Sequence, residues 1–304
     1  MTTPSSYVPT TSIDPATEVG LLSLTVADLT RSVAFYRDAI GFAVLDRDTA
    51  EATLGAGGAP LLLLKEHPDA APWPRDTQSH TGLYHFAILL PARADLGCWL
   101  AHWLELGLSM PGQGDHLVSE ALYLEDPDGN GIEIYRDRPR DQWQWNNGQV
   151  RMGVDPVDVR GLLSEAERSG EPWNGLAAGT RLGHVHLQVG DIAPAEKFYH
   201  DILGFDVIVR MPAALFVSAG GYHHHIGMNT WHSRGAGPAP IGTAGLRFFT
   251  INLPSEEARQ AVLDRIQSAG LQTRQSGEDI AVQDPWRNTI VLRAGSSSAA
   301  PQLD

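Results

Sequence analysis

Strand-like apolar runs recur four times along the chain, and each leads into a stretch whose apolar positions follow helical spacing. Residues 21–45 (LLSLTVADLTRSVAFYRDAIGFAVL) and 182–208 (LGHVHLQVGDIAPAEKFYHDILGFDVI) share one outline: strand, Asp, helix, a Phe-Tyr pair, Gly-Phe, strand. Asp28 and Asp191 stand where a side-chain oxygen can accept from the free N–H groups of a first helical turn. Gly41 and Gly204 stand where those helices must stop, because glycine accepts left-handed backbone angles. Residues 82–108 (GLYHFAILLPARADLGCWLAHWLELGL) and 245–271 (GLRFFTINLPSEEARQAVLDRIQSAGL) repeat the outline without the Phe-Tyr pair. Both continue into short strands around an Asp-Pro turn, EDPDGNGIEIY and QDPWRNTIVL. The pattern therefore predicts an α+β protein of four β-α-β-β-β units, near 20–66, 81–136, 181–231 and 244–293.

The expected layout is an arm over 1–19, a first module over 20–136, a linker over 137–180, a second module over 181–293 and a frayed tail over 294–304. The linker reads as irregular, with one helix around VDVRGLLSEAER. The arm has no basic stretch followed by an apolar core and so does not read as a signal peptide.

Composition narrows the function classes. At 304 residues, with 42% apolar and 19% charged residues, the chain reads as an ordinary globular protein of two modules. A net charge of −14 argues against general nucleic-acid binding, which needs a basic surface. No apolar run approaches the roughly 20 residues of a membrane span. The single cysteine, Cys98, excludes an intramolecular disulfide and fits a reducing cytoplasm. It lies in LGCWLAHWL, where a buried helix position is expected rather than a reactive thiol.

The chemistry concentrates in residues 114–133, GDHLVSEALYLEDPDGNGIE. This stretch sets His116, Tyr123 and Glu133 around a tight turn, and the preceding strand GLYHFAILL carries His85. A strand histidine and a strand glutamate reached through a hairpin can supply two of the three ligands of a non-haem iron site.

This repeat resembles the vicinal oxygen chelate superfamily, which includes glyoxalase I, bleomycin- and fosfomycin-resistance proteins and the type I extradiol ring-cleaving dioxygenases. The resemblance covers nearly the whole chain outside the tails and the linker. It implies that two units pair into an open, curled sheet with a metal in the cup. It also implies ligands at fixed places, the first and last strands of a unit. Unit one offers Leu21 there, and unit four offers Phe248 and Val291, none of which can ligate. Unit two offers His85 and Glu133, and unit three offers His184. These three meet only if units two and three pair, leaving units one and four as a metal-free lobe. His186 shares a strand face with His184. His184 is preferred because it lies seven residues before Asp191, the usual family offset.

The run H-x(5)-A-L-Y-x-x-D-P-D-G-N-G-I-E is similar to the extradiol signature, whereas simple glyoxalases share only its D-P-x-G-N-x-I-E tail. The resemblance directs His116 and Tyr123 at substrate, with Tyr123 bonding a metal-bound phenolate oxygen. YHHHIGMN looks like the family strand bearing an acid–base histidine and selects His224, with His223 and His225 expected on the opposite strand face as exposed or supporting groups. Met228 and Phe216 both read as core packing, with lining of an apolar pocket as the alternative for each.

The implied activity is Fe(II)-dependent extradiol dioxygenation (Mn(II) being the other metal to consider), which opens a small aromatic diol with O2 to a muconate semialdehyde-type product. Two alternatives stand beside it. A glyoxalase-type lyase or isomerase would use four protein ligands, the fourth near His224. A binding module that sequesters a small molecule would need no metal and show no turnover. Homo-oligomers are common in this architecture, but no interface is legible in the sequence.

Overall fold

The computed structural model describes residues 12–73, 80–110, 112–170, 172–295 and 301. Two large mixed sheets dominate it. One carries, in order across the sheet, Asp206–Met211, Ala214–Ser218, Ile226–Asn229, Arg181–Gln188, His80–Leu89, Gly131–Asp137, Ser119–Glu125 and Gly112–Asp115. The other carries Thr273–Ser276, Asp279–Gln283, Thr289–Ala294, Gly245–Leu253, Glu18–Val26, Ala59–Glu66, Glu51–Ala56 and Ala43–Arg47. Units two and three therefore share one sheet, and units one and four share the other. The joining pairs are antiparallel, His80–Leu89 against Arg181–Gln188 and Glu18–Val26 against Gly245–Leu253.

One buried apolar cluster runs through both sheets, taking in Leu22, Leu24 and Phe249 from one and Phe86, Val185 and Leu187 from the other. The repeated sequence marks explain how the sheets are fastened together. Tyr36, in unit one, donates its hydroxyl to Asp126 of the unit-two Asp-Pro turn at 2.8 Å. Tyr199, in unit three, donates to Asp284 of the unit-four turn at 3.0 Å. Each carboxylate also accepts two turn N–H groups and an asparagine amide, from Asp128, Asn130 and the Asn130 side chain in one case and from Trp286, Asn288 and the Asn288 side chain in the other. The Phe-Tyr pair and the D-P-x-x-N turn are thus two halves of one buried lock.

Local structure follows the caps the sequence offers. Asp28 and Asp191 accept from Arg31 N and Ala193 N, and Gly41 and Gly204 take φ of 100° and 92°. The helices Leu29–Phe35 and Ile192–Glu196 each widen into a π turn, Tyr36–Ile40 and Lys197–Ile202, at the lock tyrosines. In the linker, the helix Val159–Ser169 packs on Arg93–Glu105, with Gly97 so close that a Cβ there would stand 2.2 Å from the Leu162 carbonyl oxygen.

Three expectations change. The arm is not loose over residues 12–19, because Ile13 is buried and its N–H donates to the Gly204 carbonyl at 2.7 Å, ahead of the strand Glu18–Val26. Residues 1–11 and most of the C-terminal tail lie outside the described residues. Cys98 is only half-buried, on the flank of its helix facing Ser169 Oγ at 3.8 Å. The three histidines of YHHHIGMN precede the strand Ile226–Asn229 rather than lying on it, so strand alternation does not govern them.

Candidate metal centre

The two cups differ in what fills them. In the sheet of units one and four, Leu21, Leu63, Phe248, Ala281 and Val291 form a buried apolar plug. In the sheet of units two and three, the equivalent places hold His85, Glu133 and His184, whose ligand atoms all lie within 4.8 Å of one another. Ala87, two residues beyond His85 on the central strand, is flanked in register by His184 on one side and Glu133 on the other. Its methyl group leaves the space between the longer side chains open.

The contacts converge on one carboxylate oxygen. His85 Nε2 and His184 Nε2 stand 3.0 and 3.1 Å from the same carboxylate oxygen, Glu133 Oε2. His184 donates to it, but His85 Nε2, despite the distance, makes no hydrogen bond at all. His184 Nδ1 is a second buried nitrogen without a partner. Two donors each about 2.1 Å from one cation and at right angles would be about 3.0 Å apart. The residues therefore fit a divalent cation, and two imidazoles with one carboxylate leave coordination positions free for substrate. A structural zinc site would close all four positions and favour cysteine.

Electrostatics keep the set ready to bind. Burial outweighs the attraction of Glu133 and pushes His184 down to about 4, so its imidazole is neutral at working pH. Burial alone would raise Glu133, yet the adjoining His184 and His85 rings hold it well below the usual carboxylate range. His186 is depressed by burial and by neighbouring His85. Neutral nitrogen and ionised oxygen are the states a metal requires.

The centre opens into a cavity of about 820 Å³. Tyr123, His116, His224 and Phe216 all line it, whereas Met228 is core. His116 Nδ1 donates to the Gly153 carbonyl at 2.8 Å, and its Nε2 lies 2.6 Å from the Tyr123 hydroxyl. Burial, reinforced by the Glu133 charge, holds the Tyr123 hydroxyl well above its ordinary pKa, so it stays protonated. The His224 ring lies tilted against His184 with centroids 4.0 Å apart, and burial beside that ring lowers its pKa well below the usual value. His186 stands apart from the triad, its Nε2 accepting from the Asn229 amide at 3.0 Å. His184 and His186 pair in unbroken register with the central strand, opposite Ala87 and His85, and only His184 has a ligand atom in the convergent set.

Several lining residues had no sequence signal assigned to them. Tyr84 and Trp231 bracket the His186 ring with centroids 5.2 and 5.6 Å away. Met152, Gly153 and Val154 come from the linker, which read as mere connection. His223 and His225 are neither exposed nor turned to a common far side. His223 is fully buried with its Nδ1 2.8 Å from His224 Nδ1, and His225 Nδ1 accepts from Ala219 N. Asp137, whose Oδ1 is 2.9 Å from His223 Nε2, was legible in principle. It lies four residues after Glu133 on one strand, hence on the same face.

No helix among the described residues is long and apolar enough to cross a membrane. The family model described as Glyoxalase/Bleomycin resistance protein/Dioxygenase superfamily matches residues 18–134 and 181–292. A Bacillus subtilis (strain 168) protein named catechol-2,3-dioxygenase is 47% identical over 279 residues, covering 90% of this chain and 96% of that protein. A solved structure from Bacillus subtilis subsp. subtilis str. 168, assigned provisionally as a dioxygenase, superposes with a TM-score of 0.62 at 11% identity, covering 94% of this chain and 87% of the other. Glyoxalase I from Zea mays superposes with a TM-score of 0.53 at 18% identity, covering 92% and 93%. The last two likenesses concern the fold, and the matched segments span all four units: the chain belongs to the Glyoxalase/Bleomycin resistance protein/Dioxygenase superfamily.

Proposed function

We propose that this chain is an Fe(II)-dependent extradiol dioxygenase that opens the ring of a catechol-type diol with O2. The observation that carries the reading is the buried His85–Glu133–His184 set at the floor of a cavity that Tyr123 and His224 also face. The 47%-identical relative named catechol-2,3-dioxygenase supports it. In this reading His85, His184 and Glu133 hold the metal, and Fe(II) is preferred over Mn(II) because two imidazoles and a carboxylate form the set used by non-haem iron oxygenases. When bound, iron would supply Lewis acidity toward the diol oxygens and a route for electrons from diol to O2.

The remaining work falls to side chains. His224, kept neutral by burial, accepts the diol proton from the cavity side. The His116 Nδ1–H is committed to the Gly153 carbonyl, so its Nε2 accepts a hydrogen bond from the Tyr123 hydroxyl. Turned to a substrate oxygen, the Tyr123 hydroxyl would be a fixed donor that stabilises developing negative charge. Trp103, Met152, Met211, Phe216 and Trp231 give the cavity apolar walls that suit an aromatic ring and limit water.

A glyoxalase-type reaction would want a fourth protein ligand, and the convergent group among the described residues has three members, with His224 outside it. The test is oxygen uptake by protein loaded anaerobically with Fe(II), against a panel of substituted catechols. Stoichiometric O2 consumption with a yellow ring-fission product is the expected result. No uptake by fully loaded, folded protein across the panel would overturn the reading, and turnover of a thiol adduct without O2 would replace it with the glyoxalase-type one.

A further inference from the structure

We propose that Asp137 and His223 are positioning residues for His224, fixing which of its nitrogens carries the proton and leaving the Nε2 lone pair open to the cavity. The argument starts from donors and acceptors. Asp137 Oδ1 lies 2.9 Å from His223 Nε2, and a carboxylate only accepts, so His223 Nε2 carries a hydrogen. On this proposal the ring carries a single N–H, at Nε2, and His223 Nδ1 is therefore an acceptor. That atom faces His224 Nδ1 at 2.8 Å, and two lone pairs would repel at this separation. His224 must then carry its hydrogen on Nδ1, and its Nε2 is the free base.

The backbone is arranged to make this contact. Neighbouring residues on a strand point to opposite faces, which would separate the two rings. Here the chain leaves strand geometry between Ala214–Ser218 and Ile226–Asn229, and both imidazoles turn inward on each other. His223 is wholly buried, with Tyr222, Trp143 and Tyr135 ring centroids 4.1, 5.4 and 6.1 Å away, so it has no freedom to flip. The Tyr222 and Tyr135 hydroxyls meet at 2.7 Å and close the wall behind it. Asp137 ends the strand Gly131–Asp137 that supplies Glu133, so one rigid element sets both the carboxylate ligand and the anchor of the proposed base. In hydrolytic triads a carboxylate bonds the base histidine directly to select its tautomer; here His223 stands between the carboxylate and the base and passes the same constraint on.

The catalytic consequence rests on the dioxygenase reading, but the tautomer does not, and the test keeps them apart. In metal-free protein labelled with 15N-histidine, long-range 1H–15N correlations report the tautomer of each ring, with His224 assigned by its loss in H224Q. Wild-type protein should show His224 as Nδ1–H with an unprotonated Nε2. Asp137→Asn, whose amide can donate to His223 Nε2 and reverse the whole chain of donors, should move His224 toward Nε2–H. In Fe(II)-loaded enzyme the same change should lower kcat by about 100-fold, the scale of a general base, with KM and iron content unmoved. His223→Gln, which keeps an acceptor toward His224 and a donor toward Asp137, should retain more kcat than His223→Leu. If D137N does not fold, the wild-type spectrum and the Gln/Leu pair still decide. An Nε2–H His224 in the wild type, an unchanged tautomer in D137N, or equal kcat in the Gln and Leu variants would overturn the proposal. Absence of ring cleavage with the expected tautomers would overturn only the dioxygenase reading.

Discussion

Replacing Tyr36 by Phe tests whether the paired locks hold the two sheets together. The substitution keeps the ring, which is fully buried, and deletes a hydroxyl that donates to Asp126 Oδ2 at 2.8 Å. Asp126 Oδ2 then keeps one donor, the Asn130 amide, while Oδ1 keeps its two turn N–H groups. Burial already raises Asp126 above the usual carboxylate range, so each lost donor matters more than it would in water. A buried hydrogen bond to a charged acceptor contributes about 1.5–3 kcal/mol, and Y36F should cost about 2 kcal/mol. The same reasoning gives Y199F a similar cost, since Tyr199 donates to Asp284 in a turn of the same make-up. The two locks share no partner, so the double variant should cost about 4 kcal/mol with coupling below about 0.5 kcal/mol. Equilibrium unfolding in urea, followed by tryptophan fluorescence and by circular dichroism, measures both quantities. Because one apolar cluster runs through both sheets, the two probes should report a single transition. A cost under about 0.5 kcal/mol for either single variant, or two separated transitions in the wild type, would refute this account of how the lobes are joined.

Three other changes probe the site and its supports. Glu133→Gln keeps the shape of the side chain and removes its charge, and it should weaken Fe(II) binding by more than the roughly 10–100-fold typical of altering an outer partner, as read by anaerobic calorimetric titration. His225 is pushed down to about 3 by burial and accepts from Ala219 N, so below pH 6.5 the unfolded chain takes a proton the folded chain refuses. Stability should therefore fall as pH drops from 6.5 to 4, with His225 contributing roughly 3 kcal/mol of that fall, and H225N should flatten a denaturation series by that amount. Gly97→Ala would thrust a methyl group at the Leu162 carbonyl and should cost about 1–3 kcal/mol in the same unfolding assay.

The sequence carried the architecture because the repeat is written in residue types with few alternatives. Aspartate caps, terminating glycines and Asp-Pro turns recur at matching offsets, and the unligating Leu21, Phe248 and Val291 left a single pairing that brings His85, Glu133 and His184 together. What it could not show follows from irregular backbone. The choice between His184 and His186 is not legible in side-chain period, because the two share a strand face and only His184 joins His85 and Glu133. The His223–His225 segment escaped because alternation was applied to residues that precede their strand. Met152 to Val154 escaped because a linker has no pattern to read, and yet its Gly153 carbonyl orients His116. The π turns at Tyr36 and Tyr199 were likewise silent, since nothing in the local composition separates them from an ordinary helix end.

The contrast between the two cups has a physical logic that extends beyond the ligands. The cup of units two and three buries His85, His184, His186, His223, His224 and Glu133 together, a concentration of polar groups that disfavours folding unless each is satisfied. Two of those nitrogens are not satisfied, His85 Nε2 and His184 Nδ1. The other cup is filled by Leu21, Leu63, Phe248, Ala281 and Val291, which carry no polar atom beyond the backbone and add burial instead. Its unit-one tyrosine also reaches across to fix the Asp126 turn, from which the strand bearing Glu133 departs five residues later. The lobe without ligands thus offsets the cost of the lobe with them and holds its one carboxylate in place. A site whose resting state leaves His85 Nε2 unpaired needs such a neighbour, because a cation would satisfy that atom only in the loaded protein.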